Sequence, residues 1–278
     1  MTHTTAIRVM PTGILFLTCF VLISCSGDNA PQQGTPAFYW AAAKETFAAK
    51  DYLKTVQHLE RLTATENEYT PRARPWLLVM TSGIARGYMD LADSFDAGSR
   101  ANKNNPTAFR RRTTGYRGEA NRMALEFVEQ FDKFQKGKDD PVAIAMGFPT
   151  GNITPVVQLT RASTGTMLQP TELEPAEKRA IERGVLMATC DAAGAPEDPA
   201  KTQELLRPGT LQVSRAAFVT AMAGTLFDQA QLYGVQKLDD SGKRKIFCTR
   251  ALDALKTVPE TKQTKDLSTK ITKSLKIT

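Results

Sequence analysis

The most distinctive reactive side chain of this 278-residue chain is the thiol of Cys25. It follows the small residue Ser24 and an uncharged apolar run, Ile14 to Ile23, whose length is typical of the core of a secretory signal peptide. A spanning helix needs about 20 apolar residues, so this run is too short to remain as a membrane anchor. Because a thiolate is a nucleophile, the Cys25 side chain is a candidate for covalent modification.

The segment Leu22-Ile23-Ser24-Cys25 resembles the lipobox of bacterial lipoproteins. The resemblance implies that residues 1–24 are removed as a signal peptide, that the Cys25 thiol carries a diacylglyceryl group, and that the new amino terminus is acylated, as by palmitate. In this family an aspartate directly after the cysteine favours retention in the inner membrane of Gram-negative cells. Ser26 occupies that position, which implies an outer-membrane anchor facing the periplasm. The alternative is an ordinary cleaved signal peptide in which Cys25 is incidental.

Two further cysteines, Cys190 and Cys248, remain in the mature chain after Cys19 leaves with the signal peptide. Cys190 follows Leu186 by one helical turn, and Cys248 shares a helical face with Ala251, so both are expected in the core. An even number of cysteines in an exported protein is compatible with a disulfide between them. Core positions are equally compatible with two inert buried thiols.

Catalytic chemistry has little support, because His58 is the only histidine left after residues 1–24 are removed. A Ser-His-Asp triad or a histidine-rich metal site would need it, and its place on the outside of a predicted helical hairpin favours a solvated or capping role. Paired carboxylates could do acid–base work, but each pair has the spacing of surface charge. The sequence therefore predicts no enzyme, no catalytic residue, no metal and no cofactor. The carboxylate pairs are Asp90 with Asp93, Glu126 with Glu129, and Asp139 with Asp140.

Positive charge is a marked feature of the composition, with a formal net charge of +7 and a pI near 9.2. This balance permits attraction to anionic lipid, peptidoglycan or nucleic acid, and export argues against nucleic acid as the partner. Arg110, Arg111 and Arg112, together with Arg117, form a candidate patch for an anionic ligand. The alternative is that neighbouring glutamates pair with the arginines at helical spacing and leave an ordinary solvated surface. Those glutamates are Glu119, Glu126 and Glu129.

Apolar spacing divides the mature chain into three regions behind a tether. Residues 25–36 hold no large apolar side chain and are predicted to be a lipidated flexible tether that spans about 15–20 Å on average. Residues 37–136 and residues 211–278 carry apolar side chains at three- and four-residue steps, which predicts helices. Residues 137–210 hold eight of the fifteen prolines and are predicted to form an irregular Pro/Gly-rich insert with one or two helices. No strand pattern of useful length is present.

The stretch from Tyr52 to Leu62 resembles the second helix of a tetratricopeptide repeat (TPR). It has the aromatic residue, the small residue Thr55 one turn later, and the apolar residues Leu59 and Leu62 on the same face. The resemblance implies antiparallel helical hairpins whose concave surface suits peptides, helices of other proteins or elongated ligands. The predicted fold class is all-α, with TPR-like antiparallel helical hairpins and an irregular Pro/Gly-rich middle segment.

Together, these patterns favour a lipid-anchored cell-envelope protein that is non-catalytic and mediates protein–protein interaction or scaffolds an envelope complex. Its expected partners are the membrane, through the N-terminal lipid, and an envelope protein, with no nucleic acid. The alternative is a periplasmic solute-binding accessory component of a transporter, in which Trp76, Tyr88 and the arginines line a pocket. A polar cluster facing inward between helices would favour this alternative, and an exposed apolar groove would favour the scaffold.

Overall fold

Helices form almost all of the regular structure of this protein, as the apolar spacing predicts. The structure is a computed structural model that describes residues 31–144, 147, 149 and 152–276. The predicted signal peptide and the first half of the predicted tether, residues 25–30 with Cys25, lie outside the described residues. In chain order the elements are α1 (Pro36–Ala48), α2 (Tyr52–Thr63), α3 (Thr70–Ala101), α4 (Pro106–Lys136), β1 (Val142–Ile144), α5 (Val157–Ser163), α6 (Pro170–Ala192), α7 (Pro199–Leu206), β2 (Leu211–Val213), α8 (Arg215–Ala230), a 3-10 turn (Gln231–Tyr233), α9 (Ser241–Lys256) and α10 (Lys262–Lys276).

Side-chain caps and tight turns separate the first four helices. Asn105 accepts a hydrogen bond from the backbone N–H of the third following residue at 3.4 Å, and Pro106 occupies the first position of α4. Asp51 caps α2 in the same way at 3.2 Å, directly after Lys50, whose φ of 61° turns the chain. Short connections therefore fold α1 against α2 and α3 against α4. The prediction of an all-α fold with packed antiparallel helix pairs is confirmed.

Helix α3 lies at the centre of the fold, because α2, α4, α5 and α6 all pack against it. Twenty of its 32 residues are buried, and every residue from Trp76 to Ala85 is buried. The face of α3 that carries Thr81 and Ser82 is buried, and so is the apolar stripe of the same helix. Both hydroxyls donate to carbonyl oxygens of the preceding turn, at 2.7 and 3.0 Å, so neither is buried without a partner.

Glycines bring α3 and α6 so close that their backbones touch. A Cβ atom at Gly184 of α6 would meet the carbonyl oxygen of Gly83 of α3, and one at Gly87 would lie 2.7 Å from the Cα of Ile181. At distances this short, there is space for the hydrogen atom of a glycine and for no larger side chain. The two helices therefore pack through their main chains, which no larger residue at these positions would permit.

The described residues of the middle segment form three helices, α5, α6 and α7, where the sequence predicts one or two. Two prolines stand at first helical positions, Pro170 in α6 and Pro199 in α7, where a missing N–H is tolerated. The carboxylate of Glu172 accepts a hydrogen bond from the N–H of Gln169 at 3.0 Å and closes the first turn of α6. The irregular stretches expected from the composition are confined to the connections between these helices.

A small antiparallel sheet joins the two ends of this middle segment, although the sequence analysis predicts no strand. β1 pairs with β2 in the register Val142 to Val213 and Ile144 to Leu211. Each strand has three residues, which is too short for an alternating pattern to be recognised. The sheet therefore brings the chain just after α4 next to the chain just before α8.

The C-terminal helices α8, α9 and α10 complete the core. Phe218, Phe247 and Ile271, one from each helix, are at most 1% exposed and belong to the same apolar cluster as α3 and α4. Ser214 and Asp240 cap α8 and α9 by accepting from backbone N–H groups at 3.3 and 2.9 Å. The described residues belong to one compact unit that begins at residue 31. None of the helices within the described ranges combines the length and the hydropathy that a bilayer crossing requires.

The backbone contact between α3 and α6 can be tested with a matched pair of glycine substitutions. Gly184→Ala should lower the free energy of unfolding by about 3 kcal/mol, because the added methyl group forces two main chains apart. Gly118→Ala, in a helical position with no neighbour within 4 Å of the added Cβ, should raise it by about 0.5–1 kcal/mol. Urea denaturation followed by circular dichroism measures both, and equal effects of the two substitutions would contradict the contact.

Candidate functional site

The predictions for the three cysteines of the mature chain have different outcomes. Cys25 lies outside the described residues, so its lipidation stays a prediction. Cys190 on α6 and Cys248 on α9 are both buried and both free. Of the two alternatives, the structure therefore shows buried thiols and not a disulfide. Burial raises the pKa of both thiols, which leaves them mostly protonated and weakly nucleophilic.

One of the acidic pairs, Asp90 with Asp93, lines a common cleft, and Arg183 lies in the same cleft. Three of the six carboxylates pair with basic side chains, and no group of His, Cys, Asp and Glu in the described ranges could hold a metal ion. His58 is half-buried on α2, and its ring lies 6.3 Å from that of Tyr39 of α1. It therefore packs against α1, whereas the sequence predicts a solvated or capping role. Examples of the acid–base contacts are Asp90 with Arg183 at 2.5 Å, Asp93 with Lys237 at 2.9 Å, and Glu129 with Lys133 at 2.7 Å.

The four arginines predicted as one patch separate into different environments. Arg117 is 13% exposed, lies 3.6 Å from Asp96 of α3 and donates to the carbonyl oxygen of Lys237, so its role is structural. Arg110 is exposed and lies outside the cleft described below. Arg111 and Arg112 are exposed, line this cleft, and have no ion pair within the described part of the chain.

The cleft has a volume of about 900 Å³ and lies between α3, α4, the connection from α5 to α6, and α6. Helix α4 contributes a continuous face to it, because residues three and four positions apart share a side of a helix. Gly115 lies in the middle of this face, and a side chain there would meet nothing within 4 Å. The α4 residues are Thr107, Ala108, Arg111, Arg112, Gly115, Tyr116 and Glu119.

Two stacked tyrosines contribute aromatic surface to the cleft. The ring centroids of Tyr88 and Tyr116 are 6.4 Å apart at an interplanar angle of 24°, and the side chains are held in place by Phe95, whose ring lies 5.5 Å from that of Tyr116. Both tyrosines are at most 8% exposed. Burial raises the pKa of both phenols, so they are neutral hydrogen-bond donors at physiological pH.

Glu177 of α6 completes the polar part of the cleft. Its Oε1 accepts a hydrogen bond from the Tyr116 hydroxyl at 2.5 Å, which fixes the tyrosine and leaves the second carboxylate oxygen for another donor. Glu119, also in the cleft, is engaged by Arg122, which donates from Nε and Nη2 at 3.1 and 2.8 Å. The predicted pairing of a glutamate with the basic face therefore occurs at Arg122 and not at Arg111 or Arg112.

This arrangement can bind a ligand that carries a carboxylate or another anionic group. Two unpaired guanidinium groups supply planar, bidentate donors, and the tyrosine rings supply an aromatic surface beside them. Tyr116 and Glu177 are not identified by the sequence analysis, because Tyr116 belongs to the apolar stripe of α4 and Glu177 lies 61 positions further along the chain. Trp76, which the solute-binding alternative places in a pocket, is fully buried in the core, whereas Tyr88 does line the cleft.

Comparison with known proteins adds no relative. None of the protein-family models, curated proteins or solved structures compared with the chain matches it.

Substitutions can separate the arginines of the cleft from the structural arginine. Arg117→Gln should lower the free energy of unfolding by about 1.5 kcal/mol, because Asp96 loses a nearly buried partner. Arg111→Gln and Arg112→Gln should change it by less than about 0.5 kcal/mol, because neither side chain has an ion pair within the described residues. Urea denaturation measures all three, and a loss at Arg111 or Arg112 as large as at Arg117 would show a structural role for the cleft arginines.

Proposed function

We propose that this chain is a lipid-anchored, non-catalytic protein of the bacterial cell envelope that binds an envelope protein and so takes part in assembling a complex. The lipobox-like segment that ends at Cys25 supports the anchor. The expected location is the outer membrane facing the periplasm, since Ser26 follows the cysteine. The body carries the binding site, and the anchor keeps it near membrane-bound partners.

The observation that carries the binding role is the pair of unpaired arginines beside a tyrosine surface. An acidic segment of a partner would place carboxylates on Arg111 and Arg112. Its apolar or aromatic side chains would pack against Tyr88 and Tyr116, and a backbone N–H could donate to the open oxygen of Glu177. The tyrosine rings and Glu177 already have their positions in the free protein, which limits the entropy lost on binding.

Cleft size favours a second candidate function, the solute-binding accessory component of a transporter. A volume of about 900 Å³ lies within the range of small-molecule sites. In that function the same arginines would bind the anionic group of a free solute. The two candidates differ in the bound species, a stoichiometric protein or a retained small molecule, and purification from detergent-solubilised membranes followed by native mass spectrometry separates them.

Loss of the thiol should release the protein from the membrane. The variant Cys25→Ser cannot form the thioether to the lipid, so it should incorporate no labelled palmitate and should be recovered in the soluble envelope fraction. Labelled fatty-acid incorporation and cell fractionation measure this outcome, with Cys190→Ser as a control that keeps both label and membrane location. Equal labelling of the wild type and the Cys25→Ser variant would refute the anchor.

Reversal of charge in the cleft should release the partner. The double variant Arg111→Glu with Arg112→Glu should reduce recovery of the copurified species at least tenfold, because each arginine–carboxylate contact contributes on the order of tenfold or more in affinity. The control, Lys103→Glu with Arg110→Glu, makes the same change in net charge with exposed residues outside the cleft. Quantitative mass spectrometry of the copurified material measures both, and an equal loss in the control would place binding elsewhere.

A further inference from the structure

The net positive charge of this protein is concentrated at its C-terminal end. Residues 241–278 contain ten lysines and arginines and three acidic residues, a balance of +7 that equals the formal net charge of the whole chain. Residues 1–240 are therefore balanced. This part of the chain includes α9 and α10, so the excess charge lies on two neighbouring, packed helices.

Helix α10 presents this charge on one face. Leu267, Ile271 and Leu275 are spaced at four-residue steps and pack toward the core, with Ile271 fully buried. The polar face of the helix carries five lysines and one acidic residue, Asp266, and all six are exposed. Four of the lysines, at positions related by steps of three, eight and three, form a single row along the helix. The row consists of Lys262, Lys265, Lys273 and Lys276, with Lys270 beside it.

Little of this charge is neutralised within the protein. Among the described residues, Lys265 pairs with Glu260 at 2.7 Å and Lys270 interacts electrostatically with Asp228. The remaining three lysines, Lys262, Lys273 and Lys276, have no ion pair within the described part of the chain. Lysines three and four positions apart repel one another, so the row lowers the stability of the isolated helix. An anionic surface placed against the row would remove this repulsion.

We propose that the lysine row of α10 contacts an anionic phospholipid surface. The apolar face of α10 is already used in the core, so the contact is electrostatic and peripheral and does not insert the helix. This inference rests on the proposed anchor for its choice of surface. The ten residues between Cys25 and Pro36 span at most about 35 Å when fully extended. A lipidated chain therefore remains close to the headgroups, where clustered lysines bind.

Vesicle binding without the lipid anchor tests the lysine row separately from the anchor. The chain that begins at Ser26 keeps the whole compact unit and lacks Cys25. It should cosediment with vesicles that contain phosphatidylglycerol, should bind phosphatidylcholine vesicles weakly, and should be released at 1 M salt, where charge interactions are screened. Failure of acylation at Cys25 would refute the anchor, and failure of this binding would refute the lysine row.

Neutralisation of the row locates the contact. The triple variant Lys262→Gln, Lys273→Gln and Lys276→Gln should lower the partition coefficient on phosphatidylglycerol vesicles by about 100-fold, since each lysine near an anionic surface contributes about fivefold. The control makes the same charge change at three exposed lysines elsewhere, Lys103→Gln, Lys138→Gln and Lys201→Gln, and should bind almost as wild type.

Three results would overturn the inference. They are equal binding of phosphatidylglycerol and phosphatidylcholine vesicles, equal loss in the triple variant and its control, and binding to purified peptidoglycan with none to vesicles. Thermal unfolding followed by circular dichroism checks that each triple variant is folded, so a loss of binding is assigned to charge.

Discussion

The structure depends on the direct backbone contact between α3 and α6 at Gly83, Gly87 and Gly184. With the main chains this close, the long polar side chains at the edges of the contact meet across it. Arg86 of α3 reaches Asp191 of α6 at 3.0 Å, and Arg183 of α6 reaches Asp90 of α3 at 2.5 Å. The two ion pairs are partly exposed and contribute little stability by themselves, but they resist sliding of one helix along the other. Close packing and charge therefore specify the same helix register.

The cleft is a consequence of this register. Glu177 precedes Gly184 by about two helical turns on α6, and Tyr88 follows Gly87 directly on α3. A helix pair fixed at the glycines therefore brings Tyr88, Tyr116 and Glu177 together, although they come from three different helices. The hydrogen bond from Tyr116 to Glu177 links α4 to α6 across the central helix. These three side chains project from packed helices, which favours a preformed binding surface.

Sequence patterns predict the helices well where apolar residues recur at three- and four-residue steps, as in residues 37–136 and 211–278. They did not predict the place of α6, because its contact with α3 is made by glycines, and a glycine on a helix carries no apolar signal. The strands β1 and β2 were missed because their pairing is set by neighbours far along the chain. In the cleft, Arg111 and Arg112 were identified from charge alone, while Glu177 could only be found in three dimensions.

Both proposed surfaces contain neighbouring exposed cations that have no ion pair within the described part of the chain. Elsewhere, exposed cations commonly lie within a salt-bridge distance of an acid, as Lys133 does with Glu129 and Lys256 with Asp253. Arg111 and Arg112 stand near the N-terminus of α4, whose first turn holds no acidic residue, so the helix dipole adds to their repulsion. The lysine row of α10 is similarly uncompensated. Stability of the isolated fold gives no reason for either arrangement, whereas an acidic partner in the cleft and an anionic surface against α10 would each neutralise charge that the protein leaves unpaired.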